Sequence, residues 1–246
     1  MTLQPTVFVV DDDQPVRKSL DMLIRSVGLP VETYASAQEF LEAYRPERPG
    51  CLVLDVRMPR MSGLELQEHF NAQGVKIPII FVSGHGDVPI AVRAIKNGAV
   101  QFMEKPFSKQ LLLEFVHEAL HRDARQREGQ AEHSKIQAKL DQLTDRERQV
   151  MERVVAGKVS KEVAAELGIS KKTVDVHRAR VMNKIGVESV AELVEMVLRV
   201  RPPSDAPAWV QSKRGLPGKS PRAIAALSML SSAFRPRLLK EYRTSP

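Results

Sequence analysis

Cysteine is nearly missing from this chain. Cys51 stands alone among 246 residues, so no internal disulfide can form and no thiolate cluster can hold a structural zinc. Long apolar runs are missing as well. The densest stretch, Ile77-Pro78-Ile79-Ile80-Phe81-Val82, falls far short of the roughly 20 residues needed to cross a bilayer. The amino terminus, Met1-Thr2-Leu3-Gln4-Pro5, carries no basic segment and runs on to Asp11-Asp12-Asp13, unlike a secretory signal. No membrane role is expected, and a reducing cytoplasm suits this composition.

What is present is enough apolar material, 43%, to bury a core, with 27% charged residues to keep it soluble. The length suggests one or two domains. The net charge of +7 is unevenly spread: residues 1–120 carry a net −3, while residues 201–246 hold nine Lys and Arg against two Asp and Glu. Overall basicity is therefore a property of the tail, and the asymmetry between segments is the informative quantity.

Residues 1–120 alternate short apolar runs with stretches of helical period. Strands are expected at Val7–Val10, Val31–Tyr34, Cys51–Leu54, Ile77–Val82 and Val100–Met103. Helices are expected at Val16–Val27, Ala37–Tyr44, Leu64–Asn71, Val88–Lys96 and Lys109–His121. Five such β/α units imply a five-stranded parallel sheet with helices on both faces, an α/β domain. Residues 121–140 are rich in charge and poor in large apolar side chains, which reads as a solvated helical linker. From 141 to 200 four short helices follow. A capping box, Thr144-Asp145-Arg146-Glu147, opens the first, and Leu167-Gly168-Ile169-Ser170 joins the second to the third as in a helix-turn-helix. Residues 201–246 include seven prolines and should be largely disordered, apart from a candidate amphipathic helix starting at Ser220-Pro221.

Asp11-Asp12-Asp13 follows the first strand and Asp55 follows the third. In a parallel sheet, side chains at the carboxyl ends of strands converge on one crevice. Carboxylates gathered there repel one another, and a divalent cation resolves the conflict; a hard ion with oxygen ligands suits Mg²⁺. The plainer alternative is that the acidic triplet caps the next helix, a task open to Asp13 in particular. Ser83 ends the fourth strand and Lys105 the fifth, adding a hydroxyl donor and a compact ammonium suited to a phosphoryl oxygen.

The set Asp11-Asp12, Asp55, Ser83 and Lys105-Pro106 resembles the receiver domain of two-component response regulators. Val53-Leu54-Asp55-Val56-Arg57-Met58-Pro59, then Met61-Ser62-Gly63, matches that family's pattern around its phosphorylated aspartate. Ser83-Gly84-His85-Gly86-Asp87-Val88-Pro89 looks like the FixJ type. The resemblance implies that Asp55 accepts a phosphoryl group from a sensor histidine kinase. It further implies that Asp12, Asp55 and the backbone carbonyl of Arg57 bind Mg²⁺, with Asp11 acting through water. Ser83 and Lys105 would then engage the phosphoryl oxygens, and Phe102 would be a switch aromatic, although an ordinary sheet hydrophobe is the plainer reading. Phosphorylation would favour a homodimer through Val92, Lys96 and Gln101.

Leu143–Arg199 resembles the LuxR/FixJ-type output domain, on Leu143-Thr144-x-Arg146-Glu147, Lys161-Glu162-Val163-Ala164 and Ser170-x-x-Thr173-Val174-x-x-His177. A helical wheel of the third helix puts Val174, Val181 and Ile185 toward the core. Lys172, Asp175, Val176 and Ala179 face outward, suited to reading base edges in a major groove. Lys171, Thr173, His177, Arg178, Arg180 and Lys184 surround them, suited to phosphate contacts. The partners expected are promoter DNA and RNA polymerase, and the role that of an activator. Two other readings compete. A phosphatase with an aspartate nucleophile needs a second Asp two residues on, where this chain has Arg57. A receiver that works by protein contact alone would not need the five-residue set.

Overall fold

Runs of consecutive apolar residues suit strands covered on both faces. In the computed structural model, which describes residues 4–84 and 88–200, they form β1 (Thr6–Val10), β2 (Val31–Tyr34), β3 (Gly50–Asp55), β4 (Ile79–Ser83) and β5 (Gln101–Glu104). All pair in parallel, in the order β2-β1-β3-β4-β5. The helices between and after them are α1 (Gln14–Arg25), α2 (Ala37–Ala43), α3 (Gly63–Ala72), α4 (Val88–Lys96) and α5 (Lys109–Asp141). The α/β architecture is the one expected. His85, and the 201–246 tail with its candidate helix, lie outside the described residues.

Alternation along each strand feeds two cores. Phe8, Val10, Leu52, Leu54 and Phe81 pack with Phe40 of α2 and Leu66 and Phe70 of α3. Val7, Val9, Val53, Ile80 and Val82 pack with Leu20 and Ile24 of α1 and Leu112 and Val116 of α5. Cys51 is wholly buried in the second core, and burial pushes its thiol far above its ordinary range, so it is an unreactive hydrophobe.

The helix expected to end at His121 runs on to Asp141, so residues 121–140 are helical throughout. They are not solvated throughout, which corrects the expectation. Asp123 is 2% exposed, and its Oδ2 accepts hydrogen bonds from the Gly50 amide and Arg127 Nε. Ile136 and Leu140 are buried in a separate core. The reason is that charged residues can dock when backbone polar groups await them, and composition does not reveal such partners.

The described residues divide into two compact units at the Ala131–Glu132 boundary. The second unit contains α6 (Asp145–Val155), α7 (Ser160–Leu167), α8 (Lys171–Ile185) and α9 (Val190–Val200). The Thr144/Glu147 capping box opens α6 as read from sequence. Gly168 ends α7 in the left-handed conformation at φ 65°, which glycine adopts without steric penalty. Ser170 then caps α8 by accepting from the Thr173 amide. Val174, Val181 and Ile185 are buried with Val150, Met151, Leu193 and Val197, so α8 turns one apolar stripe inward.

Candidate functional site

Strand order reverses between β1 and β3, and the crevice beyond the carboxyl ends of such strands is where α/β folds collect functional side chains. Asp11 follows β1, Asp55 ends β3, Ser83 ends β4 and Lys105 follows β5. The Lys105 ammonium lies 2.6 Å from Asp11 Oδ2 and 2.7 Å from Asp55 Oδ1. Those carboxylates are only 1% and 5% exposed, and two anions around one cation leave the crevice negative. Asp55 Oδ2 also accepts from the Arg57 amide at 2.7 Å. Burial holds the Asp55 carboxyl above its ordinary value despite the pull of Lys105. Burial works against the Lys105 charge, but its bonds to Asp11 and Asp55 outweigh that and raise it.

Asp13 caps α1, accepting from the Val16 amide at 3.4 Å, which is the plainer task the sequence allowed it. Asp12 is exposed. Among the described residues no three carboxylates, imidazoles or thiols are gathered as a cage, and Lys105 bridges Asp11 and Asp55. The donor chemistry still fits a hard cation: the buried Asp11 and Asp55 carboxylates face a single ammonium, and the crevice keeps a net negative charge. Ser83 lies one residue beyond Val82, the partner of Asp55 in the β3–β4 register. Phe102 is half-buried, its ring 6.4 Å from that of Phe81. Gly63 is a site residue that sequence reasoning passed over as a mere motif letter. A Cβ there would come within 2.2 Å of the Asp55 carbonyl oxygen, so only glycine lets α3 start so close to the acidic strand end.

Val92 and Lys96 are exposed, while Gln101 is half-buried and accepts from the Phe102 amide. Val88 and Ile95 of α4 and Leu111 of α5 are also exposed, at 74%, 44% and 41%.

On α8, Lys171, Lys172, Thr173, Asp175, Val176, Ala179 and Arg180 are exposed. His177 is half-buried, with its Nδ1 buried and unpartnered, and Arg178 donates to Ser160 Oγ at 2.7 Å. Lys184 departs from the expectation of a phosphate contact. Its ammonium is bonded to Glu147 Oε2 at 2.7 Å and to the Gln142 carbonyl at 3.2 Å. Glu147, 3% exposed in the capping box of α6, needs a counter-ion, and Lys184 supplies it.

The two units match known families in turn. Residues 7–117 match the response regulator receiver domain, and residues 141–197 match the luxR family of bacterial regulatory proteins. The chain belongs to the response regulators that join these two domains. Nodulation protein W of Bradyrhizobium diazoefficiens is 46% identical over 190 residues, 77% of this chain and 84% of that protein. The transcriptional regulatory protein FixJ of Azorhizobium caulinodans is 46% identical over 202 residues, 81% of this chain and 96% of its own. A low-resolution structure of the response regulator StyR superposes with a TM-score of 0.73 at 47% identity, covering 80% of this chain and 99% of that one. The chain is thus a two-component, LuxR-type DNA-binding regulator of transcription, controlled by phosphorylation, and not a classical enzyme. Among the described residues no helix is long and apolar enough to cross a membrane.

Proposed function

We propose that Asp55 is the phosphoacceptor. The observation that carries this is the Lys105 ammonium bonded at once to Asp11 and Asp55, at the carboxyl ends of three strands. A carboxylate oxygen of Asp55 attacks the phosphorus of a kinase phosphohistidine, the P–N bond breaks, and its electron pair returns to the imidazole, which takes up a proton. Asp12, Asp55 and the Arg57 carbonyl would hold Mg²⁺, with Asp11 engaged through water. The ion supplies neutralisation of charge on the transferring group. Lys105 moves its pairing from carboxylate to phosphoryl oxygen, and Ser83 donates to another, drawing the end of β4 toward Asp55. Phe102 follows into the space this opens.

Phosphorylation then favours a homodimer through α4 and β5, with Val92, Lys96 and Gln101 in the interface. The exposed Val88 and Ile95, on the same helix as Val92, support this face, since clustered exposed apolar side chains mark interaction surfaces. In the second unit, Lys172, Asp175, Val176 and Ala179 read base edges. Lys171, Thr173, His177, Arg178 and Arg180 contact phosphates, while Lys184 serves the α6 cap. The regulator acts in the cytoplasm on promoter DNA and RNA polymerase as an activator. Acetyl phosphate with Mg²⁺ tests the phosphoacceptor: intact-mass spectrometry should show a phosphorylated wild type and an unmodified Asp55→Asn variant of unchanged fold. Equal labelling of the two would overturn the assignment.

A further inference from the structure

A cavity of about 170 Å³ lies in the first unit, where the carboxyl ends of α3 and α4 meet the start of β4 and the middle of α5. It sits at the amino end of β4, whereas Asp55 and Ser83 mark the carboxyl ends of their strands. From Ile79 to Ser83 is roughly 13 Å of extended chain, so the cavity is separate from the acidic crevice. Its floor is apolar, formed by the buried Phe70, Ile77, Pro78 and Ile79. Three side-chain amides frame its walls by donating to backbone. Gln67 Nε2 bonds the Ala94 carbonyl, Asn71 Nδ2 that of Asn97 and Gln126 Nε2 that of Lys76, each at 3.0 Å. These bonds tie α3 to α4, and α5 to the loop entering β4, on either side of the space.

The charges around the cavity are of one sign. Lys76 and Arg122 stand at its wall, both exposed, and neither forms an ion pair among the described residues. Among those residues no carboxylate lines it. The acids beside the lining in sequence are committed elsewhere, Glu68 to Arg93 at 2.6 Å and Asp123 to the Gly50 amide and Arg127. The two helix ends bring partial negative charge, roughly half a unit each, against two full cations, so the balance favours an anion. Gln67 adds a second sign of an unfilled place. It lines the cavity at 1% exposure, and its Oε1 is buried with no hydrogen-bond partner, which is rare in a folded protein.

We propose that this cavity binds a small carboxylate with a compact apolar body. The body covers the Phe70–Ile79 floor, which loses contact with water, and the carboxylate turns toward Lys76 and Arg122. A bare inorganic anion would leave the floor wet, and a neutral molecule of the same shape would leave both cations unanswered. A hydroxyl on the ligand, or a water carried in with it, gives Gln67 Oε1 the partner it lacks. The site rests on the cavity alone and not on the proposed phosphorylation of Asp55.

Hydrogen exchange followed by mass spectrometry on the full-length protein tests the site, with hexanoate as the probe and hexanamide and inorganic phosphate beside it. Hexanoate in the millimolar range should slow exchange in segments 71–79 and 94–99, saturably, and leave other segments unchanged. Hexanamide keeps the chain without the charge and should need about tenfold more to reach the same protection; phosphate should give none. The double variant Lys76→Gln, Arg122→Gln changes only exposed side chains, so its exchange without probe should match the wild type, while its affinity for hexanoate falls about tenfold or more. Asp55→Asn should bind hexanoate like the wild type. Absence of saturable protection leaves the cavity to water and overturns the site, as does equal affinity in the double variant. Equal protection by hexanamide or by phosphate overturns the ligand class. A loss of binding in Asp55→Asn would put the carboxylate in the acidic crevice and overturn the cavity, whereas failure of the phosphoacceptor reading would show only as labelling of that variant by acetyl phosphate.

Discussion

The Lys184–Glu147 pair gives the most quantitative expectation. Replacing Lys184 by methionine keeps the aliphatic stem and removes the ammonium, leaving a covered carboxylate without its counter-ion. The Lys184 bond, followed by the Thr144 amide, lowers the Glu147 carboxyl from 4.5 to about 2. A difference of that size corresponds to at most about 3 kcal/mol. Glu147 lies near the surface all the same, since the Lys184 that covers it is 37% exposed; water screens the pair, and about 1–2 kcal/mol is the expected loss. The folded state binds fewer protons than the unfolded state between these two values. The contribution is therefore complete above pH 4.5 and disappears as the pH falls toward 2. The assay is hydrogen exchange over α6 and α8 in the full-length protein at neutral pH, for Lys184→Met, Glu147→Gln and the double variant. The single losses should not add, because each removes the same interaction. DNA binding supplies the counter-test. A phosphate contact would lower the salt dependence by about one unit on a logarithmic scale. Unchanged protection in Lys184→Met, together with that reduced salt slope, would refute the structural role and restore Lys184 to the DNA-contacting set.

Three further expectations follow from other parts of the molecule. Gly63→Ala should destabilise the receiver by about 1–3 kcal/mol, because backbone at the Asp55 carbonyl must yield to the new Cβ, and should slow phosphorylation by acetyl phosphate in the same variant. Val176→Ala should change the preference among binding sites by about 1 kcal/mol with little effect on random DNA, measured by competition binding, since it deletes an exposed apolar group suited to thymine methyls. Deleting residues 203–246, which carry most of the excess positive charge, should weaken non-specific DNA binding several-fold at low salt and leave site preference unchanged.

Some of this was plain in the order of residues. Apolar runs separated by helical periods gave strands and helices in sequence order, and motif spacing placed Asp11, Asp55 and Lys105 at strand ends. Capping residues such as Thr144, Ser170 and Gly168 marked helix boundaries, because a cap acts on backbone groups two to four positions away. Other features were hidden. Val92 was expected to lie outward and does, but the sequence did not show that Val88 and Ile95 are exposed beside it, nor that the buried residue of α4 is Ala94. Periodicity shows that a helix has an apolar side, but which residues are covered depends on the neighbouring helices and strands.

Local chemistry determined the elements, the domain order and the identity of the acidic crevice, since each depends on residues close in the chain or on a strand end whose position topology dictates. Tertiary structure decided the partners of the charges. Lys184 looked like a phosphate ligand from its place on α8, but Glu147, 37 residues earlier on α6, is brought to its ammonium. Asp123 and Arg127 looked like solvated linker residues, but the backbone they bind lies 73 to 81 positions away. A charged side chain is placed by whichever unsatisfied group the fold brings within about 3 Å of it, and no period or propensity in a single sequence encodes a distance of that kind.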